Sequence, residues 1–205
     1  MNFKPLLILF MGIAIGYLNP FQENMNELNS TAIKLALLCL FLTIGVDMGK
    51  DPKLWDSIKL LKRETFMIAS AGLLGSLLGG AIASLLSNTP LSTSLASAAG
   101  SGYYSITTLM LKEVGGAEQA LIGFISNLIR ELLVIVGMPL IVKIFGRAGA
   151  VAAAGATAMD TSLPFVIKSA GKEIGILSFA SGVVISILVP FLVPTIYRIL
   201  SNLGW

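Results

Sequence analysis

ATAMDTSLP, residues 156–164, places a carboxylate, three hydroxyls and a proline inside the otherwise apolar run AGAVAAAGATAMDTSLPFVI (148–167). Pro164 has no N–H to donate to the carbonyl of Asp160, four residues back. It also pushes Leu163 out of helical geometry. The helix is therefore expected to open at 160–163. Carbonyls would then lie free beside the Asp160 carboxylate and the hydroxyls of Thr157, Thr161 and Ser162. Such a set of oxygens suits a cation. Asp160 could equally cap a new half-helix, and the two readings are compatible.

The solvent around that stretch follows from composition. The 205 residues are 55% hydrophobic and 12% charged, with a mean hydropathy of +0.87. Soluble domains carry roughly twice that fraction of charge, so these residues cannot build a water-facing surface. They make an all-α polytopic membrane protein. The net charge of +3 is small, and its basic residues cluster in one loop, which points to membrane topology and away from nucleic acid. A single cysteine, Cys39, excludes a disulfide framework, and histidine is absent. No metal site and no cofactor is expected. Residues 1–19 resemble a signal peptide, but no small-x-small cleavage site follows, so they read as a retained first transmembrane helix.

About seven hydrophobic segments are expected, near 5–19, 31–49, 65–87, 91–111, 119–145, 148–167 and 174–201, forming one transport-sized transmembrane domain over 1–205. Segments 91–111 (LSTSLASAAGSGYYSITTLML) and 148–167 are rich in Gly, Ala, Ser and Thr, and each has a small-residue break at its centre. Aligning Gly100 with Gly155 sets the two breaks against each other and puts Ser105 opposite Asp160. Paired interrupted segments are the sequence mark of a transporter's binding site. The loop 50–64 carries Lys50, Lys53, Lys59, Lys62 and Arg63, while 20–30 carries Glu23 and Glu27 and no base. The positive-inside rule puts 50–64 and the N-terminus in the cytoplasm and the C-terminus outside. Segments 91–111 and 148–167 either cross or re-enter from opposite faces, and charge slightly favours re-entry. Either way they are buried centrally, because broken backbone at membrane depth needs protein or water around it.

Segment 119–145 contains SNLIRELL. At 1.5 Å per residue, Glu131 lies about 18 Å from the ends of this helix, near the bilayer centre. Asn127, Arg130 and Glu131 are three and four residues apart and share a face. Each charge there costs on the order of 3 kcal/mol on insertion scales, so that face must look into protein or a cavity. The bland alternative is that Arg130 and Glu131 neutralise each other and pin helix packing, although adjacent helical residues point about 100° apart. In the partner segment, Gly100-Ser101-Gly102-Tyr103-Tyr104-Ser105 offers pliable backbone, hydroxyls and rings. A half-helix starting there would aim N–H groups at an anion, while close packing through small residues explains the glycines alone. Candidate ligands are therefore Ser101, Tyr103 and Ser105. Asp47, near the end of 31–49, reads as interfacial. Enzyme readings fail on residues: no histidine for a serine protease, no G-x-G-D for an aspartyl protease, and no phosphate-binding glycine loop ending in Lys-Ser/Thr.

The succession LALLCLFLTIGVDMG, AAGSGYYSITTLML, SNLIRELLVIVGMPL and AAAGATAMDTSLP resembles the bacterial lysine exporter family LysO over nearly the whole chain, most specifically over 97–165. The resemblance implies export of L-lysine and its analogue thialysine across the cytoplasmic (inner) membrane of a bacterium or archaeon, driven by an ion gradient. It also puts Glu131 and Asp160 in the places of the family's intramembrane acids. The family members it brings to mind carry further hydrophobic segments ahead of this portion. A small membrane partner, or a homo-oligomer, is then expected to complete the transporter.

Lysine carries two ammonium groups and one carboxylate. Glu131 and Asp160 can receive the former, and Arg130 or the 100–105 half-helix the latter. Lysine out against protons in is the simplest scheme. A small-cation/proton antiporter and a non-transporting membrane subunit are the alternatives.

Overall fold

In the computed structural model, residues 63–204 are described, together with the isolated positions Met11 and Val46. The expected segments 5–19 and 31–49, Cys39, Asp47 and nearly all of the basic loop lie outside the described residues. Residues 63–204 fall within one compact unit, Lys53–Trp205.

Every regular element among the described residues is a helix: α1 Arg63–Ser87, α2 Leu91–Ala99, α3 Tyr104–Val114, α4 Ala117–Ala154, α5 Leu163–Ala170 and α6 Gly175–Asn202. Two 3-10 turns, Gly155–Met159 and Lys172–Ile174, precede α5 and α6. The helices α1 and α6, of 25 and 28 residues, are long and apolar enough to cross a membrane. Their outward faces, and that of α4, carry bare hydrophobic side chains such as Leu78, Leu85, Leu86, Leu133, Val136 and Phe191. Apolar surface on that scale suits lipid.

Both interrupted segments are interrupted. The first stops at Ala99 and restarts at Tyr104; the second unwinds after Ala154 and restarts at Leu163. Within α4, two helices meet at the non-helical Gly146 (φ 73°, ψ −176°), which lies between the expected segments 119–145 and 148–167. A glycine accepts that left-handed φ without a Cβ clash, so the chain turns on one residue.

The packing order follows from small polar residues. α2 runs antiparallel to α1, held where Ser94 Oγ donates to the Gly80 carbonyl (2.6 Å) and Ser76 Oγ to the Ala98 carbonyl (2.5 Å). α3 packs back along the first turns of α4, with Tyr104 edge-on to Phe124 at 5.7 Å. A buried cluster around α2 and α3 joins Ala96, Ala99, Ile106 and Leu111 to Ile185, Val189 and Val193 of α6. A second surrounds the other interruption, joining Ala150, Val151, Ala154, Val166 and Ala170 to Val134 and Met138 of α4. α6 approaches the second interruption closely: Ser178 Oγ donates to the Ala158 carbonyl (2.9 Å). A Cβ on Gly182 would stand 2.5 Å from the Met159 amide nitrogen and 3.0 Å from the Ala156 carbonyl oxygen. Backbone cannot yield as a side chain does. Gly182→Ala is therefore expected to lower stability by about 1–3 kcal/mol, read as earlier thermal unfolding in detergent. An unchanged melting curve would show that α6 is not held at that distance.

Candidate functional site

The two interruptions meet. The Ala156 N–H donates to the Ser101 carbonyl at 2.9 Å, so the offset of Gly100 to Gly155 suggested by the sequence pairs residues that touch. Gly155 turns left-handed (φ +63°), and a Cβ there would run into the Ser101 carbonyl and come within 3.2 Å of Arg130 Nη2. Gly102 (φ +93°) would bring a Cβ to 3.4 Å from the Thr157 methyl. Glycine is required at 155 by close approach and backbone sign together, and at 102 by backbone sign alone. Ser101 has φ +48° without being glycine, and its hydroxyl is fully buried with no hydrogen-bond partner. A residue held in that conformation stores strain that the surrounding contacts must offset.

Helix α4 runs past this crossing and grips both breaks. Asn127, 2% exposed, accepts the Gly102 N–H at Oδ1 (2.7 Å) and donates from Nδ2 to the carbonyls of Ser97 (2.8 Å) and Gly123 (2.9 Å). One turn later the buried Glu131 accepts a short hydrogen bond from the Thr161 hydroxyl. Between them Arg130 reaches out on both sides, donating to Ser76 Oγ of α1 (2.9 Å) and to the Ala153 carbonyl (3.3 Å). The guanidinium and the Glu131 carboxylate thus turn to different partners, which sets aside mutual neutralisation as the reason for both. Asn127→Ala would leave the buried Gly102 N–H unpaired and is expected to cost about 1–3 kcal/mol. Faster proteolysis or hydrogen exchange at 97–104 would report it. Unchanged protection there would mean that Asn127 does not brace the break.

Inside the second break the hydroxyls divide into two groups. Thr157 Oγ1 donates to the Ala154 carbonyl (2.9 Å), so the proton of the Thr157–Ser162 contact (2.7 Å) comes from Ser162. Both residues are buried and close the turn on itself. Thr157 is bonded to the backbone and Ser162 to Thr157. Asp160 and Thr161 are both exposed, and Asp160 Oδ1 accepts the Thr161 N–H at 2.6 Å.

Two sequence expectations are corrected by geometry. The Asp160 carbonyl is not left free, since the Leu163 N–H supplies the donor that Pro164 lacks (3.2 Å). Nor does Asp160 cap the following helix: α5 begins at Leu163, Ser162 occupies the position before it, and no side chain caps it. Tyr103 stands at the position before α3, half-buried, and Ser105 is half-buried in the first turn of that helix. Sequence reading passed over Ser76, Ser97, Ser178 and Gly182. Their signal was present in the small-residue positions of α1, α2 and α6, but nothing local distinguishes packing serines from liganding ones.

The two broken segments thus cross beside two acids and a guanidinium, Glu131, Asp160 and Arg130. The sequence profile of the family described as lysine exporter LysO matches residues 6–197. The chain belongs to the lysine exporter LysO family. A protein of Haemophilus influenzae named putative lysine exporter is 28% identical over 184 residues, covering 90% of this chain and 92% of its own length. The Escherichia coli protein named lysine exporter LysO is 29% identical over 187 residues, which is 91% of this chain. This chain spans 60% of the length of that relative. Members of the LysO family therefore occur both near this chain's length and well beyond it. No solved structure matches the chain.

Proposed function

We propose that this chain exports L-lysine, and thialysine with it, from the cytoplasm across the inner membrane in exchange for protons, using Glu131 and Asp160. The observation that carries the reading is the junction at 156–161. There one break rests on the other through Ala156 and Ser101, while Glu131 reaches the same turn through Thr161, next to Asp160. Family membership and the names of the two relatives supply the substrate class. The exposed Asp160 receives an ammonium group, and Glu131 exchanges its hydroxyl contact for a proton or for the second ammonium. The domain that does this comprises residues 1–205.

The packing supports re-entry of both interrupted segments, from opposite faces. The α1–α2 turn and the α3–α4 turn lie at one end of the bundle, because Gly80 faces Ser94, α3 packs along the start of α4, and Gly115 abuts Tyr197 near the end of α6. The segment from Gly146 to Gly171 packs at the other end, against Val134 and Met138, with Ile141, Val142 and Ile174 beside it. Among the described residues, Arg63, Lys143, Arg147 and Lys168 then gather at that second end, and only Lys112 and Arg198 at the first. The positive-inside rule makes the richer end cytoplasmic, in line with an inward N-terminus and an outward C-terminus.

Cells lacking lysine exporters test the export reading. Expression of the chain, as a homo-oligomer or together with a small membrane partner, is expected to restore thialysine resistance and lysine efflux. Sodium-for-proton exchange with no lysine movement would instead favour a small-cation antiporter.

A further inference from the structure

A cavity of about 340 Å³, mostly apolar in its lining, opens between α1, α2 and α4, and its lining excludes both Glu131 and Asp160. Ligand pockets begin at about 300 Å³, so this one has room for a single small molecule. It extends from the turn between α1 and α2, where Ser87 and Thr89 share a 2.8 Å hydrogen bond, to Ser76 and Arg130. The eleven residues of helix from Ser87 to Ser76 span about 16 Å. Among the described residues, Arg130 is the only ionisable side chain in the lining. Of its five N–H donors, hydrogen bonds to Ser76 and Ala153 account for two, and no carboxylate of the described residues lies within ion-pair distance of it.

Ser97, 4% exposed and also lining the cavity, has a hydroxyl without a hydrogen-bond partner. Ser126 and Asn127 direct their donors to the carbonyls of Gly123 and Ser97. The guanidinium, with N–H donors to spare, is therefore the anion acceptor of this cavity. The planar fork of arginine matches a carboxylate in two parallel hydrogen bonds, whereas an ammonium group there would meet like charge.

We propose that this cavity is a vestibule on the face opposite the basic loops, which takes the carboxylate of an amino acid separately from the acids that take its ammonium groups. This rests on the export reading for the identity of the amino acid. On leaving the crossing, the substrate turns its carboxylate to Arg130 and Ser97 while its amines remain near Glu131 and Asp160. The cavity then favours amino acids over diamines.

The test is chemical labelling of Ala83→Cys, in the cavity wall, in the full chain carrying Cys39→Ser. Intact cells are treated with membrane-impermeant thiol reagents bearing either a sulfonate or a trimethylammonium group. The sulfonate reagent is expected to react at least about tenfold faster than the cationic one, which corresponds to roughly 1.4 kcal/mol of preference. Arg130→Gln removes the preference and Arg130→Lys keeps part of it. Lysine and 6-aminohexanoate are expected to slow the labelling, and cadaverine, which has no carboxylate, is expected not to. Equal rates for the two reagents in the parent overturn the anion site even if Arg130→Gln fails to fold. Labelling confined to inverted vesicles overturns the outward opening, and protection by cadaverine overturns the carboxylate assignment. Carboxylate protection in cells that export no lysine keeps the vestibule and removes the export reading alone.

Discussion

Glu131→Gln is expected to reduce lysine efflux to background in a protein that still folds and inserts. Glutamine keeps the side-chain oxygen that accepts the Thr161 hydroxyl, so the contact between α4 and the second break survives. What disappears is the negative charge, and with it any exchange of a proton for a substrate ammonium. Removing a charge from the membrane interior also lowers the insertion cost, so the variant should be no less stable than the parent. Efflux is measured beside the amount of monodisperse protein extracted from the membrane. A variant that exports at the normal rate makes Glu131 a packing residue and removes proton coupling through it.

Asp160→Asn is expected to weaken lysine binding roughly ten- to a hundredfold, the value of one charge-assisted hydrogen bond of about 1.5–3 kcal/mol. Stability should change little. Asp160 is exposed, and an asparagine oxygen can still accept the Thr161 N–H. Pro164→Ala is expected to do much less. Proline is well tolerated in the first turn of a helix, and the open turn ahead of α5 is held by the Thr157–Ser162 pair and by Ala156 bonded to Ser101. Calorimetry of lysine binding in detergent separates the two variants. Near-normal affinity in Asp160→Asn would remove the carboxylate from the site.

The places where the helices break were legible because the signals are local. Gly102 permits backbone that other residues resist, Gly100 leaves room for Thr107 and Asn127 against it, and Pro164 removes a donor wherever it stands. The polar face of α4 was legible from spacing alone, and Asn127 and Glu131 do each grip a break. The partners of these groups were not legible. That Arg130 turns to Ser76, or that Glu131 takes the Thr161 hydroxyl, depends on which segments lie side by side. The same limit applies to the Asp160 carbonyl. Proline accounts for the missing donor, but the tighter turn that brings in the Leu163 N–H forms only in the packed break.

Lysine-coupled proton movement in liposomes containing only the purified chain tests the central claim most directly. With lysine inside and a more acidic medium outside, the lumen is expected to acidify as labelled lysine leaves, and both fluxes should vanish in Glu131→Gln. Lysine efflux with no accompanying acidification, or acidification that proceeds equally without lysine, would contradict exchange at the crossing of the two breaks.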